Sequence, residues 1–127
     1  MSYRFPSIGH VRDSIESVGG PTQIKPVPIN IAPAGATATA IVSGVAGKKI
    51  RILAMVVGTN TTGAITLQDD ESSPVALSGA IPILADSPFV LPFCEGIHWG
   101  ETTAGADLDI KPDGAMSIDG ILVYTEV

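Results

Sequence analysis

The sequence predicts an all-β fold: an antiparallel, jelly-roll-like β-sandwich preceded by an extended N-terminal arm with one short helix. Three observations carry this. From residue 37 onward, runs of four to ten β-branched and apolar residues recur about every ten residues, separated by Gly, Pro, Asp, Asn and Ser clusters. No 3.6-residue apolar period lies between those runs, which argues against βαβ units. Of the 127 residues, 14 are Gly and 10 are Pro, and only 16% are charged, below the roughly 25% of an ordinary soluble domain.

The arm covers residues 1–36 and holds five of the ten prolines, at 6, 21, 26, 28 and 33. Within it, Val11, Ile15 and Val18 recur at i, i+4, i+7 and are followed by Gly19-Gly20, which predicts a helix over about 10–18. A helix this short is marginal alone in water, so its apolar stripe needs a surface to lie on. Residues 21–33 alternate Ile24, Val27, Ile29 and Ile31 with prolines. Proline fixes φ and removes a donor, so the segment is expected to be extended, at or beyond a sheet edge.

The sandwich is expected over residues 37–127. Its strands are 37–43, 49–58 (apolar on both faces, hence central), 64–68, 75–78, 80–84, 88–93, 97–102, 106–111 and 115–127. In the last strand Met116 and Ile118 are in one phase and Ile121 and Val123 in the other, which predicts a bulge at Gly120. Ninety-one residues bury only about 60–65% of their unfolded surface, so oligomerisation would help the fold.

Charge is divided unevenly. Residues 1–47 carry three basic and two acidic residues; residues 48–127 carry four and eleven, giving −6 for the chain. An acidic body with one small basic cluster, Lys48-Lys49-Ile50-Arg51, excludes a nucleic-acid surface. No apolar run reaches 18 residues, and no apolar signal stretch opens the chain, so synthesis in a host cytoplasm and no membrane partner are expected. The single cysteine, Cys94, forms no internal disulfide and is read as a small buried hydrophobe.

Chemistry-bearing patterns are scarce. Cys94 and His98 supply at most two metal ligands, short of the four of structural zinc. Asp107, Asp109 and Asp113-Gly114 miss calcium-loop spacing because Lys111-Pro112 intervenes, so they and Asp69-Asp70-Glu71 are expected to be solvated acidic segments. No nucleophile elbow, phosphate loop, dinucleotide fingerprint or zinc-protease helix occurs. The expectation is a protein that is not an enzyme and has no cofactor.

Three stretches in order carry a resemblance: SGVAGKKIRIL (43–53), ALSGAIPILADSPFVLPF (76–93), and WGETTAGADLDI (99–110) closing with GILVYTEV (120–127). Together they resemble a family of small β-sandwich virion proteins of tailed bacteriophages. The likeness spans about residues 40–127 and departs at Asp86-Ser87-Pro88 and at His98-Trp99-Gly100, both in loops. It implies a structural role in the virion. With the arm, it favours a capsid decoration, or cement, protein on the outer head surface, partnered by the major capsid protein and by copies of itself, a trimer before a dimer. The alternative is a tail, baseplate or fibre-associated binding module. Candidate partner-binding residues are Tyr3, Phe5, Ile8, Val11, Ile15, Val18, Ile24, Val27, Ile29, Ile31 and Trp99. Val11, Ile15 and Val18 have a second reading, packing back on an open face of their own sandwich.

Overall fold

The computed structural model describes residues 23–33 and 35–127. Tyr3, Phe5, Ile8, Val11, Ile15 and Val18 and the helix expected over 10–18 lie outside the described residues.

Eight strands form two four-stranded antiparallel sheets: β1 (Lys25–Ile31), β2 (Thr39–Val42), β3 (Ile50–Thr59), β4 (Gly63–Asp69), β5 (Ile81–Ile83), β6 (Phe89–Leu91), β7 (Leu108–Pro112) and β8 (Ile118–Glu126). One sheet has the order β1-β8-β3-β6 and the other β2-β7-β4-β5. The pairs β1–β8, β2–β7, β3–β6 and β4–β5 are all antiparallel neighbours, as when one long ribbon is folded over on itself. That winding is the jelly roll.

The side chains facing inward alternate along each strand, as a sandwich requires. Ile50, Ile52, Ile65, Leu67, Leu108, Ile110, Ile118 and Leu122 are all below 2% exposed and form the core, with Met116 at its edge.

Three expectations are revised. First, the segment expected to be extended at or beyond a sheet edge does lie at one, but it belongs to the sandwich, which begins before residue 37. Lys25–Ile31 is the edge strand of the first sheet, in seven-pair register with β8 from Lys25↔Tyr124 to Ile31↔Ile118. The prolines permit this because Pro26 and Pro28 alternate with the residues that exchange ladder hydrogen bonds, so their missing N–H groups face the free edge. Second, β8 runs through Gly120 without a bulge, pairing Ile29 on one side and Val57 on the other. The irregularity lies in β3, where Ile52 pairs Tyr124 and Ala54 pairs Val123, leaving Leu53 extra. Ile121 and Val123 are out of phase with the core because they face outward. Third, 75–78 and 97–102 make only isolated bridges, Gln68↔Ala76, Cys94↔Ile97 and Arg51↔Glu101.

Proline also guards other edges: Pro82 lies within β5, and Pro88 and Pro92 flank β6. An edge without donors is a poor template for another strand.

Candidate functional site

The register places apolar residues on the outer as well as the inner face of the β1-β8-β3-β6 sheet. In β1, Val27, Ile29 and Ile31 turn inward while Pro26, Pro28 and Asn30 are exposed. In β8, Ile118 and Leu122 are buried, whereas Ile121 is 43% exposed. The extra residue at Leu53 flips the phase of β3, so that Met55 and Val57 continue the core and Ala54 and Val56 face out. In β6, Phe89 and Leu91 pack against the core and Val90 is 54% exposed.

These alternations line up across the sheet. Pro28 pairs Ile121, Ile121 pairs Val56, and Val56 pairs Val90, one uninterrupted apolar row across four strands. Beside it, Pro26 pairs Val123 and Val123 pairs Ala54, and Pro92 follows β6 in line with them. Ala54, Val56, Val90, Pro92, Ile121 and Val123 border a shallow groove of about 220 Å³. Asp119, paired with Asn30 and Gly58, puts polar groups beyond one end of the rows.

The opposite sheet differs. Its outer face carries Thr66, Gln68 and Lys111, and these line a wider groove of about 430 Å³ together with Ala36, Ala64, Ala80, Pro112 and Asp113. The continuous apolar rows therefore belong to one sheet, although Val45, Val75, Leu84 and Ile97 are exposed elsewhere.

At the end of the sheet where β3 begins, residues 99–102 hydrogen bond to its free side. Trp99 N–H donates to the Ile52 carbonyl at 2.8 Å, Ile52 N–H to that of Gly100 at 3.0 Å, and Thr102 N–H to that of Ile50 at 3.0 Å. Arg51 meets Glu101 at 2.8 Å, with Lys49 3.8 Å from the same carboxylate. Burial alone would raise the Glu101 pKa, but the hydrogen bond and charge of Arg51, helped by Lys49 and His98, hold it below the ordinary carboxylate value. Lys49 and Arg51 of the basic cluster thus find their counter-ion within the chain.

Several expected site residues have structural work instead. Ile29 and Ile31 are 2% and 7% exposed and belong to the core, and Val27 packs against it, so none of the three is free for a partner. Trp99 also packs against the core, and its indole N–H donates to the Pro92 carbonyl at 2.8 Å. Ile24, 38% exposed, is the member of that set that stays accessible. The rows of the outer face were not singled out from sequence. Their signal was the odd phase of Ile121 and Val123, assigned there to a bulge.

The acidic residues are not simply solvated. Asp69 is fully buried and takes hydrogen bonds from the N–H groups of Val75 (2.8 Å), Glu71 (3.3 Å) and Thr103 (3.2 Å) and from the Thr103 hydroxyl (2.7 Å). Burial pushes its pKa up, but these donors together outweigh it and hold the carboxyl below its usual value. Asp107 Oδ1 accepts from the Gly44 N–H, and Asp70 Oδ1 from the Asp107 N–H. Asp109 is 7% exposed and its Oδ1 has no partner. Burial, then the charges of Asp70, Asp107 and Asp69, push its pKa up. Among the described residues, no group of three or more His, Cys, Asp or Glu side chains is arranged to hold a metal ion.

The two buried aspartates give opposite pH dependences. Asp69 contributes stability above its unfolded pKa that is lost as pH falls through its lowered folded value. Asp109 binds a proton more readily folded than unfolded, so its charge destabilises the fold at neutral pH and is relieved as pH falls through its raised value. Replacing Asp109 by Asn is therefore expected to stabilise the protein by about 1 kcal/mol at pH 7. The gain should shrink as the pH approaches the ordinary aspartate range. Thermal unfolding of both proteins from pH 7 to pH 4 checks this, and a gain that is flat or grows on acidification contradicts it.

Strand order defines an eight-stranded jelly roll among the described residues, one of whose sheets carries an apolar outer face. No protein-family model matches the chain, and no curated protein does. Among solved structures, it is similar to a protein from a study titled "Bacillus endospore appendages form a novel family of disulfide-linked pili". That likeness has 15% identity and a TM-score of 0.45, covering 84% of this chain and 89% of the other. It is also similar to a chain in the structure of infectious bursal disease virus Gx strain. There the identity is 14% and the TM-score 0.43, covering 82% of this chain but only 32% of the viral one. Both likenesses are too distant to carry an argument about role.

Proposed function

We propose that this is a structural protein of a tailed-phage particle, a decoration protein that binds the outer surface of the head through the outer face of β1-β8-β3-β6. The observation that supports this reading is the pair of apolar rows crossing that sheet. A flat, uncharged surface fits docking onto another protein better than holding a small solute, because it offers no convergent polar groups to orient one. The motif resemblance over residues 40–127 points the same way. The major capsid protein is the partner, and further copies of this chain are neighbours on the lattice. Many copies on one shell allow each contact to be modest.

Imaging particles with and without the protein tests the location. Extra density on the head at repeated positions is expected, whereas density at the tail would overturn the reading. The face itself is tested by Ile121→Lys combined with Val90→Lys. Both side chains are exposed, so stability should change by less than about 1 kcal/mol, while occupancy on heads lacking the protein should fall at least tenfold. Full occupancy by the double variant would show that another surface docks.

A further inference from the structure

We propose that the turn between β7 and β8 is a site of spontaneous covalent modification, at which Asp113 isomerises to isoaspartate, whereas Asp119, which also precedes a glycine, is protected by the fold. The inference concerns a different surface from the one the proposed function uses, and does not rest on that reading.

The chemistry needs an aspartate followed by a small residue whose amide nitrogen is accessible. That nitrogen must not be held by a hydrogen bond, and the carboxyl must be free to swing onto it. Among the described residues, three aspartates precede Gly or Ser: Asp86-Ser87, Asp113-Gly114 and Asp119-Gly120. The fold treats them differently. Asp119 and Gly120 lie within β8, paired to Asn30 and Ile29 of β1 on one side and to Gly58 and Val57 of β3 on the other. Ladder hydrogen bonds fix the peptide groups there, and the Val56 carbonyl leaves no space at Gly120 even for a Cβ. At the first pair the Ser87 N–H is engaged, donating to the Leu84 carbonyl at 3.2 Å.

Asp113-Gly114 is the opposite case. β7 ends at Pro112 and β8 begins at Ile118. The connection is tied at both ends: the Asp113 N–H donates to the Ala64 carbonyl at 2.9 Å, and the Ser117 N–H to Asn60 Oδ1 at 2.8 Å. Between the ties, the Gly114 N–H makes no hydrogen bond among the described residues, and an added Cβ would meet nothing within 4 Å. The Asp113 side chain is exposed and has neither a hydrogen bond nor an ion pair among the described residues.

In the reaction the Gly114 nitrogen bonds to Asp113 Cγ. Its proton and the carboxyl hydroxyl leave as water, and a cyclic imide closes. Water then adds to one of the two imide carbonyls. Opening at Cγ restores aspartate; opening at the other carbonyl leaves the main chain running through Cγ. The product is an isomer of unchanged mass and needs no oxidant or co-reactant beyond water. Its extra main-chain carbon enters between the two ties, close in sequence to Met116, which is 2% exposed. The isomer should therefore hold Met116 less tightly.

The test holds the full chain at pH 6 and 37 °C in heavy-oxygen water for several weeks, then sequences its peptides by electron-transfer fragmentation, which separates isoaspartate from aspartate. Isoaspartate carrying heavy oxygen is expected at 113, at least tenfold more abundant than at 119. In chain unfolded by urea the two sites should react at comparable rates, because both are Asp-Gly. No isoaspartate at 113, equal yields at 113 and 119 in the folded chain, or the same preference in urea would overturn the inference. Gly114→Ala has room for its methyl group and no left-handed φ to strain it. It should leave the melting temperature unchanged and slow the reaction at least tenfold; an unchanged rate would show that the Gly114 nitrogen is not the attacking group. The purified isomer should melt below the parent chain, and an equal melting temperature would contradict the loosening of Met116.

Discussion

A chain starting at Thr37 will not fold into a stable monomeric sandwich, whereas one starting at Gln23 will. Removing residues 23–36 deletes β1 and with it Ile29 and Ile31, both buried in the core. Each such side chain contributes about 1.5–3 kcal/mol by burial. The deletion also strips seven ladder pairs from β8, uncovers Leu122 and Ile118, and removes the Lys25–Glu126 ion pair at 2.7 Å. Against a total stability of about 5–15 kcal/mol, that loss leaves little or nothing. Circular dichroism and urea titration of the two chains provide the measurement. A cooperative transition in the 37–127 chain, with a midpoint near that of the 23–127 chain, would show that β1 is dispensable.

Gly120→Ala should be strongly destabilising for the addition of a single methyl group. Gly120 sits in the middle of β8 with a strand on either side, against Ile29 of β1 and Val57 of β3. A Cβ there would run into the Val56 carbonyl oxygen and stand 2.9 Å from the Val57 Cα. These are backbone atoms of a central strand, so relief requires β3 and β8 to separate. A cost of about 3 kcal/mol is expected, at the upper end for overpacking, which lowers the melting temperature by more than about 10 °C for a domain near 100 residues. Gly58→Ala, where an added Cβ meets nothing within 4 Å, is the matched control on the neighbouring strand. Similar melting temperatures for the two variants would refute the steric account.

The contrast between these glycines shows what could be read in the sequence. Spacing of apolar runs and turn residues gave the all-β class, and β3, β4, β7 and β8 were found to within a few residues. Two expected strands, 75–78 and 97–102, had the right composition. Their backbones, however, serve as loop-to-strand bridges, a distinction made by tertiary partners and not by residue type. β1 was assigned to the arm because prolines argue against a central strand, and they do. An edge strand with prolines at alternate positions satisfies the same chemistry, and only the pairing with β8 shows it. The candidate face was hidden for a related reason. Outward apolar residues in four separate strands are unremarkable singly and become a surface only once register aligns Pro28, Ile121, Val56 and Val90. Asp69 was misread because acidic runs are usually solvated, and nothing local announces that Thr103 and Val75 close around this one.

The pairing of the first described strand with the last has a consequence for how the molecule is made. Lys25 and Glu126, which meet at 2.7 Å, are 101 residues apart in the chain. During synthesis from the N-terminus, β1 therefore waits with Ile29 and Ile31 uncovered until β8 has been made, whereas every strand of the other sheet is present once β7 has been made. Such non-local closure is slow, and its intermediates expose apolar surface. The prolines at 26 and 28 remove donors from one side of the waiting strand only, so until β8 arrives its other side stays open to pairing.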